Sequence, residues 1–298
     1  MHVLFIGLGH MGGPMATNLV RAGHHVDGFD LGAEQCAAAA EAGVTVVTAI
    51  SDAAGNADVV MTSLPGPAQV TAVGTELFTA MGPDTVWIDL STSDLDCAAG
   101  LRPPAETAAV HLVDATVSGG PEGAQAGTIS VFVGGDDEPV ARCMPLFEAV
   151  GGKVDHLGPH GAGYVAKIAQ VSLCYTQTVC LIEALMLGVK GGVDPAKMLD
   201  LVRHSAGGSY VADTYGPEIV AGTYDPTFPL SHAAKDLRLA MEMADHVDAD
   251  LPFMGAVADT YAAAEEAYGS TAPHLLAAQL TEKANELILS EYLDEEQT

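Results

Sequence analysis

The chain has 298 residues, 49% of them hydrophobic, and 39 acids against 11 lysines and arginines give a formal net charge of −28. That length suggests two domains with apolar residues enough for a core in each, and so acidic a balance disfavours nucleic acid and anionic membranes as partners. The acids are spread along the sequence, with one modest cluster at Asp294-Glu-Glu296; such a solvated surface suits a cell with high internal salt, where self-repulsion is screened.

The opening residues form an apolar run, 3–6, that breaks into Gly7-Leu-Gly9-His10-Met11-Gly12-Gly13 before a helical stretch at 14–22. They read as a strand, not a signal peptide. In a glycine-spaced turn of this kind Gly7 makes the tight turn, Gly9 lets backbone N–H groups approach a pyrophosphate, and Gly12 lets the helix pack closely on the strand. The positive end of the helix then faces the anion, so the phosphates need no lysine. A second strand, 25–30, ends in Asp30, near the offset at which a carboxylate accepts hydrogen bonds from the adenosine ribose hydroxyls. A 2′-phosphate would be repelled there, and Leu31-Gly-Ala33 supplies no arginine, so the expected cofactor is NAD.

Further strands are expected at 44–47, 59–63, 86–89, 111–115, 130–134 and 154–157, with helices between most of them. This βαβ pattern implies a mostly parallel, doubly wound sheet of the Rossmann type. The loops at Pro65-Gly-Pro67 and Ser91-Thr92-Ser93 follow strand ends and belong at the ligand edge of such a sheet. Beyond Gly161 the strand signal stops, and helices are expected at 164–191, 194–204, 230–247, 252–268 and 272–293. The expected organisation is therefore an NAD-binding domain at 1–161 and an all-helical substrate and oligomerisation domain at 162–298.

The stretch 171–189 is the one place to suspect a membrane span, but it carries Gln177 and Glu183 among several Ser and Thr. It reads as a helix buried between domains or subunits, which implies a homodimer or homotetramer and no membrane. Five cysteines, odd in number and without Cys-x-x-Cys spacing, fit free thiols in a reducing cytoplasm. Asp245-His246-Val-Asp248-Ala-Asp250 reads as a solvated turn, and no catalytic zinc spacing occurs; no metal is expected. There is no Gly-x-Ser-x-Gly, so a serine hydrolase has no support.

Four segments in order carry a family resemblance: Gly7-Leu-Gly-His-Met-Gly12; Asp114-Ala-Thr-Val-Ser118-Gly119-Gly120-Pro-Glu-Gly123-Ala-Gln-Ala-Gly127-Thr128; Gly161-Ala-Gly163-Tyr-Val-Ala-Lys167; and Lys235-Asp236-Leu-Arg-Leu-Ala240. On these the chain resembles, over nearly its whole length, the β-hydroxyacid dehydrogenase family, which includes 3-hydroxyisobutyrate dehydrogenase and tartronate semialdehyde reductase. The resemblance implies hydride transfer between NAD and a small β-hydroxy acid. It implies a substrate loop in which the Ser118 hydroxyl and the N–H groups of Gly119 and Gly120 hold the acid, and Lys167 as the group that moves the hydroxyl proton. It also implies that Thr92 lies near the nicotinamide, that Leu64 and Pro65 flank the adenosine side, and that Lys235 reaches towards the cofactor. Ser209 and Tyr210 are further candidates for the substrate pocket.

The chain departs from the family after Lys167. An asparagine is usual four residues on, often with another at three, and here those positions hold Val171 and Gln170. Both lie one turn along from the lysine, so either Gln170 supplies the amide contact to substrate or the contact is absent. Alternatives within the same architecture are a semialdehyde reductase of the tartronate semialdehyde or sulfolactaldehyde type, a phosphosugar dehydrogenase, which needs a basic cluster, and an imine reductase, which typically replaces the lysine. A non-catalytic NAD-binding protein is the alternative from another class.

Overall fold

The computed structural model describes residues 1–293; the acidic cluster at 294–296 lies outside the described residues. The chain divides into two compact units, Met1–Lys167 and Ile168–Thr298. The first alternates β1 (His2–Ile6), α1 (Gly12–Arg21), β2 (His25–Phe29), α2 (Ala33–Glu41), β3 (Thr45–Val46), α3 (Ile50–Ala54), β4 (Val59–Thr62), α4 (Pro67–Leu77), β5 (Val86–Asp89), α5 (Leu95–Ala108), β6 (His111–Ser118), α6 (Gly120–Ala126), β7 (Ile129–Gly135), α7 (Asp137–Val150) and β8 (Gly151–Gly158), before α8 (Ala162–Lys190).

The strands form one sheet in the order β3-β2-β1-β4-β5-β6-β7-β8. All neighbours are parallel except β6 and β7. The first six positions follow the doubly wound dinucleotide-binding order. The alternation of side chains along β1 explains how both faces are covered. Val3 and Phe5 join a core with Met15, Leu19, Ile129 and Phe147, while Leu4 and Ile6 join another with Leu77, Trp87 and Leu101.

The sequence reading stops the sixth strand at 115, whereas β6 continues to Ser118 and pairs antiparallel with β7 in the register Ser118↔Ser130. Asp114 sits in the middle of this strand, where its carboxylate accepts backbone N–H groups from the chain packed over it. Beyond Ala115 the polar Thr116, buried and donating to the Gly163 carbonyl, and Ser118 interrupt the apolar pattern on which strand length is read.

The second unit holds the rest of α8, then α9 (Pro195–Arg203), α10 (Tyr210–Thr214), α11 (Gly216–Ala221), α12 (Leu230–His246), α13 (Pro252–Tyr268) and α14 (Ala278–Asn285), with 3-10 turns at His274–Ala277 and Leu289–Tyr292. By length and composition α8 could cross a membrane. Its apolar residues instead build this unit's cores: Leu181, Ile182, Leu185 and Val189 pack with Ile219 and Leu275, and Val171 and Tyr175 with Leu237 and Tyr261. A core helix needs the same composition as a span, and here the partners are side chains.

The single helix expected at 272–293 is broken in three. Glu286 takes a left-handed conformation that ends α14, and the buried carboxylate of Glu282 then accepts the Leu289 N–H at 2.9 Å and the Tyr224 hydroxyl at 3.2 Å. These bonds hold the chain in a non-helical path that periodicity does not reveal.

Candidate active site

The strand order reverses between β1 and β4, where open α/β sheets bind ligands beyond the strand ends. Gly7 follows β1 and has φ +93°; a Cβ there would lie 2.1 Å from the Ser63 carbonyl oxygen, so the turn rests on the backbone that follows β4. A Cβ on Gly12 would fall 1.8 Å from the Gly7 oxygen, while one on Gly9 would meet nothing within 4 Å. Gly7 and Gly12 are thus glycine because the protein itself leaves no room. Gly9 has no such internal reason, and its open space is where the backbone can meet a phosphate. His10 is exposed and Met11 half-buried, directly before α1.

Asp30 follows β2 with one carboxylate oxygen accepting the Leu8 N–H and the other the Gly32 N–H, both at 2.7 Å. Each oxygen keeps a lone pair, which leaves capacity for two ribose hydroxyls. The donor set thus fits a dinucleotide: an open glycine, a helix N-terminus behind it, and an oriented carboxylate. A cleft of about 570 Å³ borders the turn, with Gly9, His10, Gly13, Gln35, Pro121 and Glu122 among its walls. A cavity of about 730 Å³ lies at the opposite end of the sheet among Asp84, Arg102, His111 and His160, remote from the glycine turn.

A buried hydrogen-bond network links this edge to the next two strands. Asp89, at the end of β5, accepts the hydroxyls of Thr62 and Ser91 at 2.6 Å and that of Tyr164 at 2.8 Å. Trp87 Nε1 donates to Thr62 Oγ1, and the Leu64 N–H donates to Ser91 Oγ at 2.8 Å. Leu64 is thereby fixed, with Pro65 exposed beside it. Thr92 is half-buried in the loop after β5; Asp94, not Thr92, caps α5 by accepting the Cys97 N–H. Burial pushes the Asp89 carboxyl up and the Tyr164 hydroxyl well up from their ordinary ranges.

The start of α8 is clamped onto β6. The Asp114 carboxylate accepts the N–H groups of Gly161 at 2.7 Å and Tyr164 at 2.8 Å, and Thr116 Oγ1 donates to the Gly163 carbonyl at 2.8 Å. A Cβ on Gly163 would lie 2.3 Å from the Phe132 oxygen, so only glycine permits this approach. Lys167 lies one helical turn beyond this clamp, about 5 Å along the axis. Lys167 is half-buried. Gly119 and Gly120 follow Ser118, both at positive φ, and the Asn18 amide of α1 donates to the Ala124 carbonyl of α6 at 2.8 Å, tying this loop to the helix behind the glycine turn. Burial raises Asp114 to about 6.

The remaining candidates belong to the second unit. Gln170 is exposed, and Val171 packs in a core with Leu230 and Leu237. Ser209 Oγ accepts the Ala212 N–H as the cap of α10, leaving Tyr210 exposed at its first position. Lys235 Nζ lies 3.3 Å from Asp236 Oδ1, and Asp236 is buried and accepts the Tyr175 hydroxyl at 3.2 Å. The pair is not a solvated surface ion pair. Sequence reasoning gave no individual role to Asp89, Ser91, Asp114 or Tyr164. The available signal was an acid closing each of two apolar strand runs, Val86-Trp-Ile-Asp89 and Leu112-Val-Asp114.

Residues 2–158 match the family model for the NAD binding domain of 6-phosphogluconate dehydrogenase, and residues 161–281 that described as the NAD-binding of NADP-dependent 3-hydroxyisobutyrate dehydrogenase. The chain is 36% identical over 266 residues to the NAD-dependent L-serine dehydrogenase of Pseudomonas aeruginosa, which covers 86% of this chain and 89% of that protein. It is 37% identical to the 3-hydroxyisobutyrate dehydrogenase of the same organism, with the same coverage. The solved structure of Mycobacterium tuberculosis 3-hydroxyisobutyrate dehydrogenase with L-serine superposes with a TM-score of 0.88 at 33% identity, covering 94% of this chain and 98% of that one.

Proposed function

The chain belongs to the β-hydroxyacid dehydrogenase family, and from that membership we propose that it oxidises a small β-hydroxy acid of the 3-hydroxyisobutyrate or serine type, with Lys167 as general acid/base. Bound NAD supplies the hydride acceptor. The Ser118 hydroxyl and the N–H groups of Gly119 and Gly120 hold the substrate carboxylate. The Lys167 amine, in its neutral form, takes the hydroxyl proton at Nζ as hydride leaves the adjacent carbon, so alcohol becomes carbonyl and the lysine leaves protonated. Reduction of a semialdehyde is the same step reversed.

The observation that supports this reading is the clamp of Asp114 and Thr116 on the first turn of α8, which fixes the turn before Lys167 onto the strand that ends at Ser118. It gives a buried acid on the substrate strand a reason to exist, and a pure NAD-binding protein would not need it. Retention of the lysine also weighs against an imine reductase. With Val171 taken up by packing, Gln170 is the amide proposed to contact substrate. Asp30 supports NAD over NADP.

An exposed line on α8, Leu173, Cys180 and Leu187 at heptad spacing, supports association of copies through this helix, as a homodimer or homotetramer. Five cysteines, odd in number and without Cys-x-x-Cys spacing, support a reducing cytoplasm. The test is an NAD reduction screen over 3-hydroxyisobutyrate, serine, glycerate, 3-hydroxypropionate and dihydroxypropanesulfonate. Turnover confined to one or two of these, absent with phosphosugars, is expected; turnover only with amines would overturn the reading.

A further inference from the structure

At the end of the sheet remote from the glycine turn, β1 and β2 start side by side in the register His2↔His25. Because residues two apart on a strand share a face, Asp27 projects on the same side as His25. The ligand atoms of His2, His25 and Asp27 all lie within 4.8 Å of one another, a grouping that no other set of His, Cys, Asp or Glu among the described residues makes. His2 Nε2 is 2.8 Å from Asp27 Oδ2, and His25 Nε2 is 3.4 Å from Asp27 Oδ1. The two imidazole rings meet edge to face at 4.5 Å.

We propose that His2, His25 and Asp27 form a binding site for a divalent transition-metal ion of the zinc class. Two imidazoles and one carboxylate suit zinc, cobalt or nickel, whereas calcium and magnesium need oxygen ligands. Ligands about 2.0–2.1 Å from a tetrahedral ion stand about 3.4 Å apart. His25 Nε2 already stands at that separation from Asp27 Oδ1, while His2 Nε2 is 2.8 Å from the other oxygen, Oδ2, a hydrogen bond that opens when both imidazoles take one ion.

The His2 backbone is held on both sides: its N–H donates to Asp58 Oδ2 at 2.8 Å, and the Asp58 N–H donates to its carbonyl at 2.9 Å. A fixed backbone and a carboxylate that is only 12% exposed give the organised surroundings that metal ligands require. The acidic surface raises the local concentration of cations. With three protein ligands the ion keeps a water. Its site is about 16 Å, five residues of β1, from Gly7, so the ion clips the two nucleotide-binding strands together and takes no part in the hydride step.

The test uses full-length, untagged protein freed of metal with a chelator and titrated with zinc chloride by calorimetry. One ion per chain is expected, with a rise of several degrees in Tm at saturation. His25→Ala is the decisive variant, since that side chain is 60% exposed and its loss leaves the fold intact; it should weaken binding at least tenfold while NAD affinity stays unchanged. Asp27→Asn should do the same. Absence of saturable zinc binding, or binding unaltered by His25→Ala, would overturn the assignment.

Discussion

Gly9→Ala and Gly12→Ala are chemically identical changes three residues apart, and the structure gives them opposite consequences. At position 12 the added methyl would lie 1.8 Å from the Gly7 carbonyl oxygen, so the start of α1 must move off β1 by more than an ångström. Overpacking against backbone costs about 1–3 kcal/mol, a fall in Tm of roughly 2–12 °C for a protein of this size. At position 9 the methyl meets nothing within 4 Å, and replacing a glycine whose conformation alanine can share stabilises by about 0.4–1 kcal/mol through the unfolded chain. The same methyl occupies the space assigned to the pyrophosphate. Loss of one charge-assisted hydrogen bond, about 1.5–3 kcal/mol, corresponds to a rise in Kd for NAD of roughly 10- to 100-fold. Thermal melting and an NAD titration on both variants separate the effects: Gly9→Ala should melt at or above the parent and bind NAD poorly. If Gly9→Ala binds NAD as the parent does, or melts well below it, the cradle has been put in the wrong place.

Three further outcomes follow from the same geometry. Burial holds Asp114 at about 6 against an ordinary 3.8, so the folded state disfavours the charged form. Its contribution is intact below about pH 4 and is lost as pH rises to 6, by at most about 3 kcal/mol; denaturant melts across that range should show this fall in the parent and not in Asp114→Asn. NAD should bind at least tenfold tighter than NADP, and Asp30→Ala should remove most of that difference; a tenfold preference of the parent for NADP would end the Asp30 argument. With a net charge of −28, Tm should climb between dilute buffer and molar KCl, and an unchanged Tm would refute adaptation to salt.

The central strands were legible because the part of the sheet that is parallel and covered on both faces writes short apolar runs between turn residues, as at Val3 to Ile6 and Val86 to Asp89. Helix positions in the second half were legible where one face is apolar. What escaped were places where a buried polar side chain decides the path. Glu282 ends the last long helix early by taking the Leu289 N–H. Asp114 makes β6 a platform for α8. Asp89, read only as the end of a strand, gathers Thr62, Ser91 and Tyr164 and so fixes the Leu64 loop. Each acts through at least one partner distant in sequence, 58 residues from Glu282, 50 from Asp114 and 75 from Asp89, beyond the reach of any local pattern. The glycine turn itself was readable as a motif, but only the structure separates the glycines that packing requires from Gly9, which it does not.

The most direct test of the proposed chemistry is Lys167→Ala, assayed for hydroxy-acid oxidation together with NAD affinity. If Lys167 moves the proton, kcat falls about 10²- to 10⁴-fold while Kd for NAD stays within twofold of the parent. A variant that keeps a tenth or more of the parent kcat would contradict the assignment.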